Sequence, residues 1–200
     1  MLVTIEGIDG AGKSTLVDGL RREYPGFVYT REPTDGWTGR AIEKSVSADE
    51  NNPMRDLFLF TADHANHLRE TVKPALRDDK VVVCDRYIDS RAAYQAEATE
   101  ELLEDGDEER VEWILDLHRG WSLFPDLTLL LDIESEKAVK RLRESRDSEV
   151  KFEKKKFLRG VRENYLYLSN DERYRVIDAN REKQKVLSDC VEVLEKEIEG

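Results

Sequence analysis

The sequence predicts an α/β fold, in which a parallel β-sheet carries helices on both faces. Short apolar runs alternate with longer segments whose apolar residues recur at helical spacing, as is typical of this class. Two of the runs, residues 81–84 and 127–131, are nearly uninterrupted apolar stretches, like strands buried on both faces. The 200 residues show no internal repeat or low-complexity linker, so we expect a single domain over residues 1–200.

Each element has its own signal along the chain. A helix over residues 13–23 follows the first strand and is stopped by Pro25-Gly26. Asn52 followed by Pro53 starts a long helical segment towards residue 76, which Pro74 should kink or end. The five strands are predicted at residues 2–5, 27–30, 81–84, 127–131 and 175–177. The last helix is amphipathic, with Val186, Cys190, Val193 and Leu194 facing inward.

Two charged segments need an interpretation. Residues 100–110 are crowded with acids and contain a glycine, so we expect a solvated loop or helix end there. Residues 141–156 are basic in an otherwise acidic chain. Either these cations pair within a helix with Glu144, Glu149 and Glu153, or they serve an anionic ligand.

Composition argues against a nucleic-acid-binding protein, a disulfide-stabilised protein and a membrane protein. The chain carries 32 Lys and Arg against 44 Asp and Glu, a net charge of −12, so nucleic acid is not an expected partner. Only Cys84 and Cys190 are present, far apart in sequence, which excludes a disulfide framework. No apolar stretch approaches the roughly 18 residues that span a bilayer, and the first residues do not resemble a signal peptide. We expect a cytoplasmic protein without a membrane partner.

A phosphate-binding loop lies directly after the first predicted strand. Residues 7–14 read G-I-D-G-A-G-K-S and match the pattern G-x-x-x-x-G-K-[ST], which binds nucleoside triphosphates with backbone N–H groups and a helix N-terminus. Lys13 is expected at the β- and γ-phosphates, and Ser14 at Mg²⁺. The residues expected to bind the nucleotide are Gly7, Ile8, Asp9, Gly10, Ala11, Gly12, Lys13, Ser14 and Thr15.

The loop alone does not say what becomes of the nucleotide. A regulatory GTPase would carry an N-K-x-D motif after a later strand, and no such run occurs in the sequence. A small kinase is the favoured interpretation, with an NTP-dependent regulatory switch as the alternative. A kinase needs further cations for its second substrate.

Those cations follow two other predicted strands. Arg31 comes after the second strand, and Asp85 and Arg86 come after the third. Ligands of open parallel sheets bind at the carboxyl ends of the strands, so these side chains should meet the loop. We expect Asp85 to serve Mg²⁺ beside Ser14, and both arginines to clamp the acceptor phosphate.

The ordered motifs resemble the thymidylate kinase family. The resemblance covers nearly the whole chain and rests on residues 6–15, the R-E-P triplet at 31–33, L-F-T-A-D-H at 59–64, D-R-Y-x-x-S-x-x-A-Y-Q at 85–95, and shorter runs around 124–132, 152–153 and 177–179. It implies a kinase that transfers the γ-phosphate of ATP to dTMP with Mg²⁺, usually as a homodimer. It also implies a five-stranded parallel sheet in the order 2-3-1-4-5. Another nucleoside monophosphate kinase, acting on dUMP, UMP or CMP, stays open.

The resemblance also implies roles for individual residues. Asp9 would accept a hydrogen bond from the deoxyribose 3′-hydroxyl. Phe60 would stack on thymine, and Tyr94 would close the sugar's 2′ face. Arg31 and Arg86 would hold the dTMP phosphate, while Arg91 and Gln95 would neighbour the base.

Two positions depart from the family pattern. Some members carry a basic residue where this chain has Gly10, so the missing charge should come from a mobile lid near residues 141–153, through Arg143 or, preferably, Arg146. Where the family commonly has an arginine near the thymine carbonyl, this chain has His64. A neutral imidazole donates one hydrogen bond, so His64 is expected to reach the base with less charge, or else simply to pack.

Overall fold

The computed structural model describes residues 1–48, 50, 52–103, 106–142 and 148–199. Its five strands are all parallel and form one sheet in the order β2-β3-β1-β4-β5, as the sequence predicts. Each observed strand lies within one residue of its predicted limits. The strands are β1 (Leu2–Glu6), β2 (Val28–Arg31), β3 (Val82–Asp85), β4 (Leu127–Asp132) and β5 (Tyr174–Asp178).

Helices cover both faces of the sheet. Alternate residues of a strand point to opposite faces, and β3 shows this: Val83 packs in one apolar cluster, while Val82 and Cys84 pack in another. Apolar residues on both faces explain the uninterrupted apolar runs. The helices are α1 (Lys13–Glu23), α2 (Trp37–Val46), α3 (Pro53–His67), α4 (Lys73–Arg77), α5 (Ile88–Ala98), α6 (Asp107–Asp116), α7 (Ser135–Arg141), α8 (Ser148–Leu168) and α9 (Lys183–Glu199).

The predicted helix start at Asn52 is confirmed. Its side chain accepts a hydrogen bond from the backbone N–H of Arg55 at 3.0 Å, and Pro53 is the first helical residue. The regular α-helix ends before Pro74, because a π-helical turn at Leu68–Val72 separates α3 from the short α4. Pro74 lies in the first turn of α4. Helix α2 was not predicted from the sequence.

The acidic segment is only partly the solvated region expected. Its second half is the first turn of α6, where three acids stand at the positive end of the helix dipole. Arg110 is buried in this turn, and its Nε donates to the carbonyl of Ala96 at 3.0 Å. The expectation of solvent exposure was wrong for Arg110, because α6 packs against α5.

Both cysteines are buried free thiols, as expected. None of the helices in the described part of the chain has the length and hydropathy of a membrane span.

Candidate active site

The phosphate-binding loop joins β1 to α1, and two of its glycines are required by geometry. Gly7 has φ +136° and Gly10 has φ +84°, values that favour glycine. A Cβ on Gly10 would lie 2.5 Å from the carbonyl oxygen of Ala138, and one on Gly7 would lie 2.6 Å from that of Leu131. The backbone therefore leaves no room for a basic side chain at position 10.

Lys13 lies at the start of α1 with its side chain buried. Its Nζ donates to the carbonyls of Gly7 and Ile8, at 2.9 and 3.0 Å. Burial, together with the nearby charge of Arg86, lowers the pKa of Lys13 to about 7. Phosphate oxygens would supply the negative charge that this ammonium lacks.

Ser14 and Asp85 come together as predicted. The Ser14 hydroxyl lies 3.4 Å from Oδ2 of Asp85, and the buried Oδ1 of Asp85 has no hydrogen-bond partner among the residues described. A carboxylate and a hydroxyl are oxygen ligands suited to Mg²⁺, which usually keeps several waters and takes the rest of its shell from phosphates. The unpartnered oxygen and the donor set fit this ion.

Arg86 turns back towards the loop immediately after β3. Its φ of +68° is uncommon outside glycine and costs about 1 kcal/mol or more, and the backbone N–H of Tyr87 is held by the buried Glu6 at 2.7 Å. The guanidinium donates to Asp9 at 2.5 Å and to the Tyr94 hydroxyl at 3.3 Å. Arg86 therefore links the end of β3 to the phosphate-binding loop.

Two cavities meet at this arginine. The P-loop cavity, of about 670 Å³, is lined by the loop and the start of α1 together with Arg31, Asp85 and Arg141. The α5 cavity, of about 250 Å³, is lined by four residues of α5, by Phe60 and by residues that follow β1, β2 and β3. Asp9, Glu32, Pro33 and Arg86 belong to the walls of both cavities.

The structure distributes the predicted nucleotide-binding residues unevenly. Gly7, Ile8 and Ala11 do not line the P-loop cavity, and the last two are buried with their side chains in the core. The others face the cavity: Asp9, Gly10, Gly12, Lys13, Ser14 and Thr15. Arg31 also lines it, with an exposed side chain that pairs with Asp35.

The α5 cavity gathers most of the residues predicted to surround the second substrate. Phe60 enters from α3, and Arg91, Tyr94 and Gln95 come from α5. The Tyr94 hydroxyl accepts from the backbone N–H of Asp9 at 2.8 Å. Burial raises the pKa of Tyr94 to about 12, so the hydroxyl keeps its own proton for donation.

His64 does not reach this cavity. Its Nδ1 lies 2.8 Å from Oε1 of Glu32, its Nε2 lies 2.6 Å from the Ser122 hydroxyl, and the side chain is fully buried. Burial lowers the pKa of His64, so the ring is neutral. A neutral ring that donates to Glu32 and accepts from Ser122 has no donor left for a base. Of the two expectations for His64, contact with the base is therefore corrected, and packing is what the structure shows: the ring lies behind the cavity wall.

Glu32 is the residue that the sequence analysis overlooked. Its carboxylate accepts from both His64 and His67 on one oxygen and from Arg91 on the other, at 2.7–2.8 Å. Burial alone would raise the pKa of Glu32, but the charge of Arg91 and the hydrogen bonds from His64 and His67 hold it well below its usual range. The position of Glu32 directly after Arg31, at the end of β2, was the available signal.

Arg141 was a second omission. Its guanidinium donates to the carbonyls of Gly10 and Ala11 at 3.4 Å and to that of Ala179 at 3.0 Å, which places it against the loop. It belongs to the basic stretch, in which Arg143 and Arg146 were the predicted phosphate contacts. Those two arginines lie outside the described residues.

Comparisons with known proteins agree with one another. A family model described as thymidylate kinase matches residues 5–190. A probable thymidylate kinase of Methanococcoides burtonii is 44% identical over all of this chain and 98% of its own length, and one of Methanosarcina acetivorans is 50% identical over 92% of this chain and 90% of its own. The crystal structure of thymidylate kinase from Ehrlichia chaffeensis is similar at a TM-score of 0.72 and 25% identity, covering 97% of this chain and 98% of the other.

Proposed function

The chain belongs to the thymidylate kinase family, and we propose that it phosphorylates dTMP to dTDP by direct transfer of the ATP γ-phosphate between the two cavities. The observation that supports this proposal is the wall that the two cavities share. A nucleotide with its phosphates in the P-loop cavity and a monophosphate in the α5 cavity would both border Arg86. Direct transfer requires such closeness of donor and acceptor phosphates.

On the donor side, the loop backbone and Lys13 bind the triphosphate. Because burial and the charge of Arg86 lower the pKa of Lys13 to about 7 in the protein without nucleotide, binding of the phosphates favours protonation of Nζ. Ser14 and Asp85 would hold Mg²⁺, and the ion would supply positive charge beside the phosphates. Arg141 holds the loop through its carbonyls from the cavity wall. Arg143 or, preferably, Arg146 is proposed to close over the phosphates and exclude water.

On the acceptor side, Arg86 and Arg31 hold the dTMP phosphate. Arg86 is oriented by Asp9 and Tyr94, so its guanidinium needs little reorganisation as charge develops on the transferred group. Phe60 stacks on the base, and Asp9 accepts from the 3′-hydroxyl. Tyr94 crowds the 2′ position against ribonucleotides.

Assembly and location are part of the same proposal. The family resemblance implies a homodimer in the cytoplasm, and size-exclusion chromatography with light scattering measures the assembly. A partnership with nucleic acid is not proposed because the net charge is −12. Phosphorylation of dUMP, UMP or CMP and a regulatory NTPase are not favoured by the family match.

Product analysis tests the proposal. With ATP labelled at the γ-phosphate, Mg²⁺ and dTMP, chromatography should find the label in dTDP, and Lys13→Ala should form almost none. Label released only as inorganic phosphate would contradict transfer.

A further inference from the structure

Arg91 lies on α5 and is the cation that this helix contributes to the wall of the α5 cavity. The residue is 3% exposed, and it lines the cavity beside Phe60. Its Nη1 donates to Glu32 at 2.7 Å and its Nε to His118 at 3.1 Å. Its remaining terminal nitrogen, Nη2, is buried without a hydrogen-bond partner among the residues that the structure describes.

An unpartnered buried guanidinium nitrogen is costly, and native structures usually satisfy such donors. The rest of the side chain is firmly held, because Glu32 is fixed by both His64 and His67 and His118 donates from Nδ1 to the carbonyl of Ile114 at 2.8 Å. Arg91 cannot turn Nη2 elsewhere without breaking these contacts. A ligand acceptor would satisfy it where it stands.

A second unpartnered polar atom borders the same cavity. Gln95 lines it, and its buried Oε1 has no partner in the described part of the chain. A donor beside an acceptor complements a base edge that presents a carbonyl at C4 and an N–H at N3. Thymine and uracil carry this edge, whereas cytosine carries an amino donor at C4.

We infer that Arg91 is the specificity-determining residue that donates to the O4 carbonyl of the pyrimidine. The sequence had suggested His64 for this contact with the base. Glu32 and His118 are positioning residues that hold the guanidinium against the cavity. The inference rests on the proposed function, since it assigns a base to the α5 cavity.

A change of one substrate atom tests the contact. In 4-thio-dTMP, sulfur replaces O4 and accepts a hydrogen bond from a cation more weakly, so the wild-type protein should prefer dTMP by about 10-fold in kcat/KM. In Arg91→Met, the ratio of the two kcat/KM values should fall to about 1. General damage to the fold lowers both values and leaves their ratio in place, so the ratio separates recognition from stability.

Two further variants keep the test decisive. Arg91→Lys retains the charge facing Glu32 but has one nitrogen, so it should also lose the ratio even if Arg91→Met folds poorly. His64→Gln should lower both kcat/KM values together and keep the ratio. A ratio that survives in both Arg91 variants, or that is lost in His64→Gln alone, would overturn the inference. A wild-type protein that phosphorylates no pyrimidine monophosphate would overturn the proposed function instead.

Discussion

The P-loop cavity and the α5 cavity share a wall but are built from different parts of the chain. The P-loop cavity is bordered by a backbone turn and by side chains that directly follow β1, β2 and β3. The α5 cavity depends on a buried network in which Glu32, His64, His67 and Arg91 hold one another. The P-loop cavity brings charged groups together where the phosphate is transferred. The buried network of the α5 cavity fixes the shape of the site that selects the base.

Removing charge from the P-loop cavity should have the largest effect. Lys13→Ala or Arg86→Ala should lower kcat by about 1,000-fold, because each removes a cation from the transferred phosphoryl group. Steady-state ADP release with saturating ATP and dTMP measures this. Arg22→Ala, on the exposed last turn of α1, is the control and should leave kcat unchanged. Near wild-type turnover in Lys13→Ala and Arg86→Ala would contradict the assignment of the chemical step to the charged groups of the P-loop cavity.

The buried network should instead govern stability. Glu32→Gln leaves the Arg91 guanidinium buried without its anion, so the free energy of unfolding should fall by about 3–5 kcal/mol. Urea denaturation measures the change. Asp35→Asn breaks the exposed pair with Arg31 and should cost less than about 1 kcal/mol. Equal costs would show that the network around Glu32 does not hold the α5 cavity.

Stacking on the base should affect binding more than turnover. Phe60→Ala should raise the KM for dTMP by about 10-fold or more while kcat changes less, since base–aromatic stacking contributes about 1–3 kcal/mol. Phe58 lies on the same helix but points outward, so Phe58→Ala is the matched control. An unchanged KM for dTMP in Phe60→Ala would contradict binding of the base in the α5 cavity.

The smallest expected effect concerns protons. The pKa of Lys13 is about 7 in the free protein, and bound phosphates raise it towards its ordinary value. Between these two values, the complex holds a proton that the free protein lacks, so ATP affinity should decline as the pH rises above 7. Calorimetry at pH 8 in buffers of different ionisation enthalpy should detect uptake of about one proton.

Lys13→Met is the control for that titration and should show no uptake. Uptake that persists without Lys13 would assign the proton to another group.

The contrast between the cavities explains what the sequence predicted. The loop, Lys13, Ser14 and Asp85 follow from local pattern, because a parallel sheet brings the carboxyl ends of its strands together. The roles of His64 and Arg91 depend on which helix faces reach Glu32, and that depends on packing between α3 and α5 rather than on spacing. The lid candidates Arg143 and Arg146 stay predictions.

Acceptor dependence tests most directly whether the two cavities act together. ADP release should be measured with Mg²⁺ and ATP and, in turn, dTMP, dUMP, UMP, CMP and no acceptor. We expect release to be fastest with dTMP and almost absent without an acceptor. Equal release without an acceptor would contradict transfer between the cavities, and faster release with CMP would contradict the assignment of thymine to the α5 cavity.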